Sequence, residues 1–209
     1  MDMSNSFGEW KHKIPHSELN KTIDYVLTGY DINTIPHANH LLGYIRKEQK
    51  ANHTKLLDFG CGIGRNIIFL SNSLPDCQIY GYDNDIMLSQ AKAFVRQKHQ
   101  KDIENIENIH LLSNWNDIRQ QTFDLIYATL VFQHIYEEPL SQYLKDIKGM
   151  TDTLLVESRR LNDDIDSTTQ QHKNTWQIME KNGCKPYFCS KNYTVDGNPE
   201  DHFLCIYKF

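Results

Sequence analysis

The chain has 209 residues, of which 39% are hydrophobic and 23% charged, so it is long enough for one domain with a buried core. Its formal net charge of -5 gives no general attraction to nucleic acid, whose binders usually carry a basic face. No apolar run approaches the roughly 20 residues of a membrane span, and the start, MDMSNSFGEWKHK, lacks the apolar core of a secretory signal. We therefore expect a cytoplasmic protein with no membrane contact. The charge argues against a nucleic-acid partner without excluding a local basic groove, and the oligomeric state stays open.

The cysteines follow no metal-binding or redox pattern. They stand at positions 61, 77, 184, 189 and 205, an odd number without a CxxC pair. Zinc sites and redox motifs usually show such pairs. We expect reduced, packed thiols and no metal site.

From residue 54 onward, short apolar runs alternate with longer stretches of helical period. This alternation is typical of a parallel sheet covered by helices on both faces. In chain order, the pattern predicts a strand at 54–59, a helix at 66–74, a strand at 77–83, a helix at 85–102, strands at 108–112 and 123–132, a helix at 138–149, a strand at 152–158 and a helix at 168–183.

Two further strands are predicted at the end of the chain, at 185–195 and 202–209, on either side of the turn DGNPED. This turn is too short for a parallel crossover, which takes about a dozen residues or more, so one of the two strands must run antiparallel to the rest. The first 50 residues differ from the rest in their residue pattern. We predict that they form a helical cap in the same domain, before a core at 51–209.

The stretch LLDFGCGIGRN, residues 56–66, places Gly60, Gly62 and Gly64 where a strand gives way to a helix. In an open α/β sheet this is the side on which ligands bind, at the carboxyl ends of the strands. Glycine permits positive φ and lets a ligand approach the backbone closely. The following helix also directs free N–H groups toward the same crevice.

By itself a glycine-rich turn is a weak signal. Nicotinamide and flavin enzymes use the spacing GxGxxG, whereas this chain has GxGxG, with Arg65 three residues after Gly62. Asp83 makes the pattern more specific, because it closes the second strand, where a carboxylate would accept two ribose hydroxyls. The alternative is that Asp83 caps the helix beginning near Asp85.

In these motifs and their order the sequence resembles the class I S-adenosylmethionine-dependent methyltransferases, over roughly residues 54–209. LLDFGCGIGRN is similar to their first motif, IYGYDND to their second and FDLIYATLVFQHI to their fourth. The terminal strand pair is similar to their reversed seventh strand. The resemblance implies a doubly wound α/β fold, with a seven-stranded, mostly parallel sheet, a reversed terminal strand and Rossmann-like topology.

The resemblance also implies a cofactor, S-adenosylmethionine, and the residues that hold it. Its methionine part would lie over Gly60 to Gly64 with Asp58 near the ammonium group, and Asp83 would take the ribose hydroxyls. SNWND (113–117) stands where the family places a residue beside adenine, without the usual Gly-Asp pair; Trp115 could stack there or be packed structure. The predicted cofactor-binding residues are Asp58, Gly60, Cys61, Gly62, Gly64, Asn66, Asp83, Asn84, Asn114, Trp115, Asp117 and Thr129.

The segment after the fourth predicted strand contains the best candidate for a general base. His134 has a side chain of near-neutral pKa that can take a proton from a hydroxyl or ammonium acceptor. The alternative is a histidine that only caps the next helical segment, and Gln133 is a weaker polar candidate. Residues 128–131 are Ala-Thr-Leu-Val, not the Asn/Asp-Pro-Pro-aromatic stretch of methyltransferases that modify base amines or protein glutamine.

These features predict a methyltransferase acting on an oxygen or nitrogen of a small-molecule acceptor. Arg159, Tyr30 and His37 are candidates for acceptor binding, although Arg159 could equally be solvated or paired with a neighbouring carboxylate. A protein side chain as acceptor, or a non-catalytic cofactor-binding regulator, remains an alternative. A nicotinamide-dependent oxidoreductase is disfavoured by the missing third glycine and the antiparallel terminal strands.

Overall fold

The computed structural model describes residues 36–48, 54–99, 106–159, 175–195 and 198–209. The helices are α1 (Pro36–Glu48), α2 (Arg65–Ser73), α3 (Asp85–His99), α4 (Trp115–Ile118), α5 (Glu137–Met150) and α6 (Thr175–Lys181), with a 3₁₀ helix at Phe132–His134. The strands are β1 (Lys55–Phe59), β2 (Gln78–Tyr82), β3 (Ile109–Leu112), β4 (Leu125–Thr129), β5 (Thr153–Arg159), β6 (Pro186–Val195) and β7 (Asn198–Lys208). Within these ranges, no helix has the length and apolar character needed to cross a membrane.

The seven strands form one sheet in the order β3-β2-β1-β4-β5-β7-β6. Strand β2 pairs in parallel with β1 and β3, and β4 pairs in parallel with β5. Strand β7 runs antiparallel to both β5 and β6. The predicted fold class is therefore confirmed, including the reversed terminal strand that the short connection between the last two strands required.

Within the described residues, most element boundaries lie within two residues of the prediction, and two differ by more. The strand predicted at 123–132 ends at Thr129, because Leu130 has a φ of 58° and the extended backbone stops there. Strand β7 begins at Asn198, inside the predicted turn, so the hairpin connection is shorter than expected. Helix α4 was not predicted; a helix of four residues leaves too little periodicity to detect.

The described chain divides into two compact units, with the boundary between Ile118 and Arg119. In the unit that contains β1, β2 and β3, helix α2 packs on β2 through a very close approach at Gly81. A Cβ atom built there would lie 2.4 Å from Ile67 Cδ1 and 2.7 Å from Leu111 Cδ2. Of the cap predicted for residues 1–50, the described part is helix α1; its role as a cap over the core stays a prediction.

The other unit contains β4 to β7 together with the 3₁₀ helix, α5 and α6. Its core is built from side chains of α5 and β5, among them Tyr143, Ile147 and Leu154, all fully buried. Helices α5 and α6 are joined on the surface by an ion pair between Lys181 and Glu137, with N to O at 2.9 Å. The apolar faces of α5 and β5 therefore hold this unit together, and the exposed ion pair adds little.

The expectation that all five cysteines are reduced is wrong for two of them. Cys189 and Cys205 lie directly opposite each other in the β6–β7 ladder and form a disulfide, with a Cα–Cα distance of 4.2 Å. Directly opposed residues on antiparallel strands bring their Cβ atoms within bonding reach. Cys61, Cys77 and Cys184 are buried and form no disulfide, as expected.

We predict that Gly81→Ala lowers the free energy of unfolding by about 1–3 kcal/mol, because the new methyl group overpacks the α2–β2 contact. The measurement is urea unfolding followed by circular dichroism. Gly149→Ala is the matched control: a Cβ at that helical position meets nothing within 4 Å, so this variant should gain about 0.4–1 kcal/mol. Equal effects at both glycines would contradict the close approach.

Candidate functional site

The turn between β1 and α2 has the backbone geometry that its glycines were expected to provide. Gly60, Gly62 and Gly64 have φ values of 76°, 55° and 80°, which side chains with a Cβ rarely adopt. The N–H groups of Gly60 and Cys61 both donate to the carbonyl of Tyr82, at 2.8 and 3.0 Å. The turn is thereby fixed to the carboxyl end of β2.

Asp83, immediately after β2, accepts hydrogen bonds from this turn. Its Oδ2 accepts from the Gly62 N–H at 2.8 Å, and its Oδ1 accepts from both the backbone and the side-chain N–H of Asn84, at 2.8 and 2.9 Å. A carboxylate has about four acceptor positions, so these three bonds leave capacity for a further donor such as a hydroxyl.

The alternative role of Asp83, capping helix α3, belongs instead to its neighbour. Asn84 Oδ1 accepts from the Met87 N–H at 3.1 Å, which is the usual bond of an N-cap residue. Asp83 is consequently available to join β2 to the glycine turn. Asn84 was predicted to bind cofactor directly, and the structure gives it this capping contact.

The turn lies in a region of negative potential. Burial raises the pKa of Asp83 to about 6, against the opposing effect of the hydrogen bonds from Gly62 and Asn84. Burial, together with the charges of Asp83 and Asp58, raises the pKa of the Cys61 thiol well above its usual value. Two carboxyl groups therefore act on one small buried volume, an arrangement that a cationic ligand would stabilise.

Space is present beside the turn as well as charge. A Cβ on Gly62 would meet only Met87 Cε, at 3.8 Å, so the backbone at Gly62 is open to close approach. Asp58 and Asn66 are both buried, and one oxygen of each side chain accepts no hydrogen bond in the structure, although both residues make other interactions. The glycines, Asp58 and Asp83 fit a positively charged nucleoside cofactor.

The residues predicted to lie beside adenine separate into two kinds. Trp115 is buried and packs against Phe59 and Tyr82, with ring centroids 5.4 and 5.0 Å away, which favours its role as packed structure. Asn114 and Asp117 are exposed; Asn114 Nδ2 donates to Asp117 Oδ2 at 3.0 Å. These two residues keep polar groups at the carboxyl end of β3.

A second polar group occupies the other compact unit. Thr129 ends β4, Leu130 follows in the left-handed region, and its N–H donates to the Glu157 carbonyl at 2.9 Å. The 3₁₀ helix comes next, with Gln133 buried and the half-buried His134 at its end. Gln133 Nε2 lies 3.2 Å from His134 Nε2.

Ser158, which was not among the predicted site residues, completes this group. Its hydroxyl is buried and donates to Gln133 Oε1 at 3.2 Å. The available signal was the polar pair Glu157 and Ser158 at the carboxyl end of the apolar strand DTLLVES. Both are among the most buried polar side chains of the described residues.

Three residues were predicted to bind the acceptor: Tyr30, His37 and Arg159. Tyr30 lies outside the described residues. His37 and Arg159 are described only through their backbone, as the second residue of α1 and the last residue of β5. Their roles stay predictions. In the part of the chain that the structure describes, no three histidine, cysteine, aspartate or glutamate side chains form a group that could hold a metal ion.

Comparisons with known proteins agree with this geometry. Residues 57–152 match the family model described as a methyltransferase domain. The chain is 25% identical over 142 residues to the probable S-adenosyl-L-methionine-dependent methyltransferase TehB of Haemophilus influenzae, a match that covers 61% of this chain and 48% of the relative. The chain thus matches about half the length of this relative.

Solved structures resemble the chain in fold at low identity. The methyltransferase domain of bacterial CtHen1-CN has a TM-score of 0.63 at 18% identity, covering 86% of this chain and 100% of that one. Magnesium protoporphyrin IX methyltransferase (ChlM) from Synechocystis, crystallised with bound SAH, has a TM-score of 0.63 at 12% identity, covering 90% and 93%.

Sheet order, reversed terminal strand and glycine turn define a Rossmann-like methyltransferase fold. Residues 57–152 match a methyltransferase domain, and the chain is similar to S-adenosylmethionine-dependent methyltransferases in sequence and in fold. The TehB relative is described as S-adenosyl-L-methionine-dependent, and ChlM has also been crystallised with bound SAM, which agrees with the acidic, glycine-lined turn between β1 and α2.

We predict a pH dependence of stability that is specific to Asp83. Because its pKa is raised to about 6, the folded state holds a proton that the unfolded state releases near pH 4. The free energy of unfolding therefore falls as pH rises through this window and is constant above it. Between about pH 4 and pH 7, wild type should lose about 2 kcal/mol more than Asp83→Asn.

Urea titrations at several pH values measure this difference, and Asp76→Asn, at an exposed aspartate after α2, is the control that should behave as wild type. A parallel pH dependence in wild type and Asp83→Asn would contradict the raised pKa.

We also predict that Leu130→Gly is more stable than Leu130→Ala by about 1 kcal/mol, because only glycine adopts a positive φ without steric cost. Both variants lose the leucine side chain, so their difference isolates the backbone. At the exposed helical residue Lys145, the order should reverse, with alanine more stable by about 1 kcal/mol. Thermal and urea unfolding measure all four variants.

Proposed function

We propose that this protein transfers the methyl group of S-adenosylmethionine to an oxygen or nitrogen of a small-molecule acceptor. The observation that carries the proposal is the bond between Gly62 N–H and the Asp83 carboxylate. It fixes an open, positive-φ backbone beside a buried acid, an arrangement that suits an adenosyl group with a positive charge. The match of residues 57–152 to a methyltransferase domain and the probable activity of the TehB relative support it.

Four features of this chain would hold the cofactor. The backbone at Gly60 to Gly64 permits close approach, Asp58 would face a cationic group, and Asp83 would accept hydroxyl protons with its remaining acceptor capacity. Asn114 and Asp117 would provide polar contacts at the carboxyl end of β3. When bound, S-adenosylmethionine supplies an activated methyl group, so the protein has to position the acceptor and control its protonation.

In this proposal, His134 takes the proton from the acceptor. A neutral imidazole can take a proton from a hydroxyl or ammonium group as that group becomes a nucleophile. Support comes from its place at the end of the 3₁₀ helix after β4 and from its contact with the buried Gln133. Thr129 is a further polar group at the end of β4. Arg159, Tyr30 and His37 remain proposed contacts to the acceptor.

Several observations favour a small molecule over a macromolecule. The net charge of -5 provides no general attraction to nucleic acid. The segment 128–131 lacks the Asn/Asp-Pro-Pro-aromatic stretch seen where base amines or protein glutamine are methylated. If no compound in a screen of small molecules is methylated, a protein side chain remains the candidate acceptor.

Isothermal titration calorimetry tests the cofactor assignment. We predict that S-adenosylmethionine binds to wild type and that Asp83→Ala weakens binding at least about tenfold, which is about 1.4 kcal/mol. Asp85→Ala, at an exposed aspartate two residues away, should bind as wild type does, and NADH should not bind. Because Asp83→Ala could disturb the turn, its unfolding is measured in parallel.

Binding of NADH in preference to S-adenosylmethionine, or equal binding by wild type and a folded Asp83→Ala, would contradict the proposal. Where binding is found, hydroxyl and amine metabolites are screened with labelled cofactor. His134→Ala should then lower kcat far more than it changes the affinity for cofactor, as expected of a residue that handles a proton. Binding without turnover of any acceptor, protein substrates included, would indicate a cofactor-binding regulator.

A further inference from the structure

Gln133 links a buried hydroxyl to the imidazole of His134. Gln133 and Ser158 are 6% and 1% exposed, so both side chains are shielded from water. The Ser158 hydroxyl donates to Gln133 Oε1 at 3.2 Å, and Gln133 Nε2 lies 3.2 Å from His134 Nε2. The three side chains come from the 3₁₀ helix and from β5, and they form a continuous chain of polar contacts.

With the Gln133 amide in this orientation, the contacts favour one state of the imidazole. An amide nitrogen is only a donor, and a neutral imidazole has one donor and one acceptor nitrogen. When Gln133 Oε1 accepts from Ser158, the amide NH₂ is the group that faces His134, so His134 Nε2 must accept. The neutral ring then carries its proton on Nδ1.

We propose that Gln133, oriented by Ser158, is a positioning residue that holds His134 as the neutral tautomer with its proton on Nδ1. The inference rests on the proposed function only in giving His134 a proton to handle; the network itself requires neither cofactor nor acceptor. Gln133 acts through His134, and Ser158 acts through Gln133.

The arrangement couples the charge of His134 to the orientation of the amide. A proton taken up at Nε2 would bring two donors face to face, which is unfavourable beside the buried Gln133 amide. A half-turn of the Gln133 amide removes the conflict, because Oε1 then accepts from Nε2–H. In that orientation the Ser158 hydroxyl no longer donates to Oε1 and has to rotate to accept from the amide Nε2 instead.

The neighbouring acid on β5 does not replace Ser158 in this network. Glu157 is also buried, but successive side chains of a strand point to opposite faces. Its backbone carbonyl instead accepts from the Leu130 N–H at 2.9 Å, which fixes the start of the segment leading to the 3₁₀ helix. Backbone and side chains of β5 thus both determine where His134 lies.

Nitrogen-15 NMR of the intact protein with labelled histidine tests the proposal, because long-range proton–nitrogen spectra distinguish the tautomers. His134→Asn assigns the signal among the 10 histidines. We predict an Nδ1–H tautomer in wild type. The isosteric Gln133→Glu should switch it to Nε2–H, since a carboxylate can only accept, and should raise the pKa of His134 by at least about one unit.

Gln142→Glu is the matched control: Gln142 is exposed on α5 and bonds to Asp146, so this variant should leave the His134 signal unchanged. If Gln133→Glu does not fold, Ser158→Ala provides the second variant and should reduce the Nδ1–H population by releasing the amide. An Nε2–H tautomer in wild type, or a His134 signal indifferent to both variants, overturns the proposal. Failure to bind S-adenosylmethionine would overturn the proposed function alone.

Discussion

The hydrogen bond from the Gly62 N–H to the Asp83 carboxylate is the contact on which the cofactor side of the structure depends. It joins two turns that are 21 residues apart in sequence, at the carboxyl ends of β1 and β2. The backbone has positive φ at Gly60, Gly62 and Gly64, and in this conformation the Gly62 N–H meets the acid while the N–H groups of Gly60 and Cys61 bond to Tyr82. Burying an acid with few counter-charges opposes its ionisation, and a cationic ligand relieves that cost. The glycines thus permit the backbone conformation, the conformation allows the bond to the buried acid, and the buried acid favours a cationic ligand.

In the other compact unit the controlling constraint is a short backbone break. Leu130 stops β4 in a left-handed conformation that a leucine rarely adopts, and a single turn of 3₁₀ helix follows. Local strain of this kind persists only where the surroundings fix it; here the Glu157 carbonyl and the buried side chain of Ser158 do so. The segment that carries His134 is consequently set by β5 as well as by its own sequence.

The fold could be predicted because its determinants are local. Alternating apolar runs indicated each strand within a few residues, and the connection between β6 and β7 required the reversed direction. The glycine turn and the importance of Asp83 could likewise be predicted from the sequence. Glycines at alternate positions after a strand indicate positive φ, and an acid at a strand end indicates binding or capping. What could not be predicted depended on distant pairing: Ser158 meets Gln133 only because β5 lies beside the 3₁₀ helix, and Trp115 turns inward because Phe59 and Tyr82 offer a buried surface. The Cys189–Cys205 bond depends on strand register, which the terminal turn did not reveal.

That disulfide also changes the denatured chain. It joins residues 16 apart in sequence, and closing a loop of about 15 residues removes unfolded-state entropy worth about 3 kcal/mol. A cross-linked chain unfolds to a more compact ensemble and exposes less surface, so its dependence on denaturant concentration is shallower than that of the reduced chain. The redox state of the surroundings therefore determines which unfolded ensemble, cross-linked or reduced, the folded protein is compared with. The free energy of unfolding changes with it, even where the folded sheet is the same.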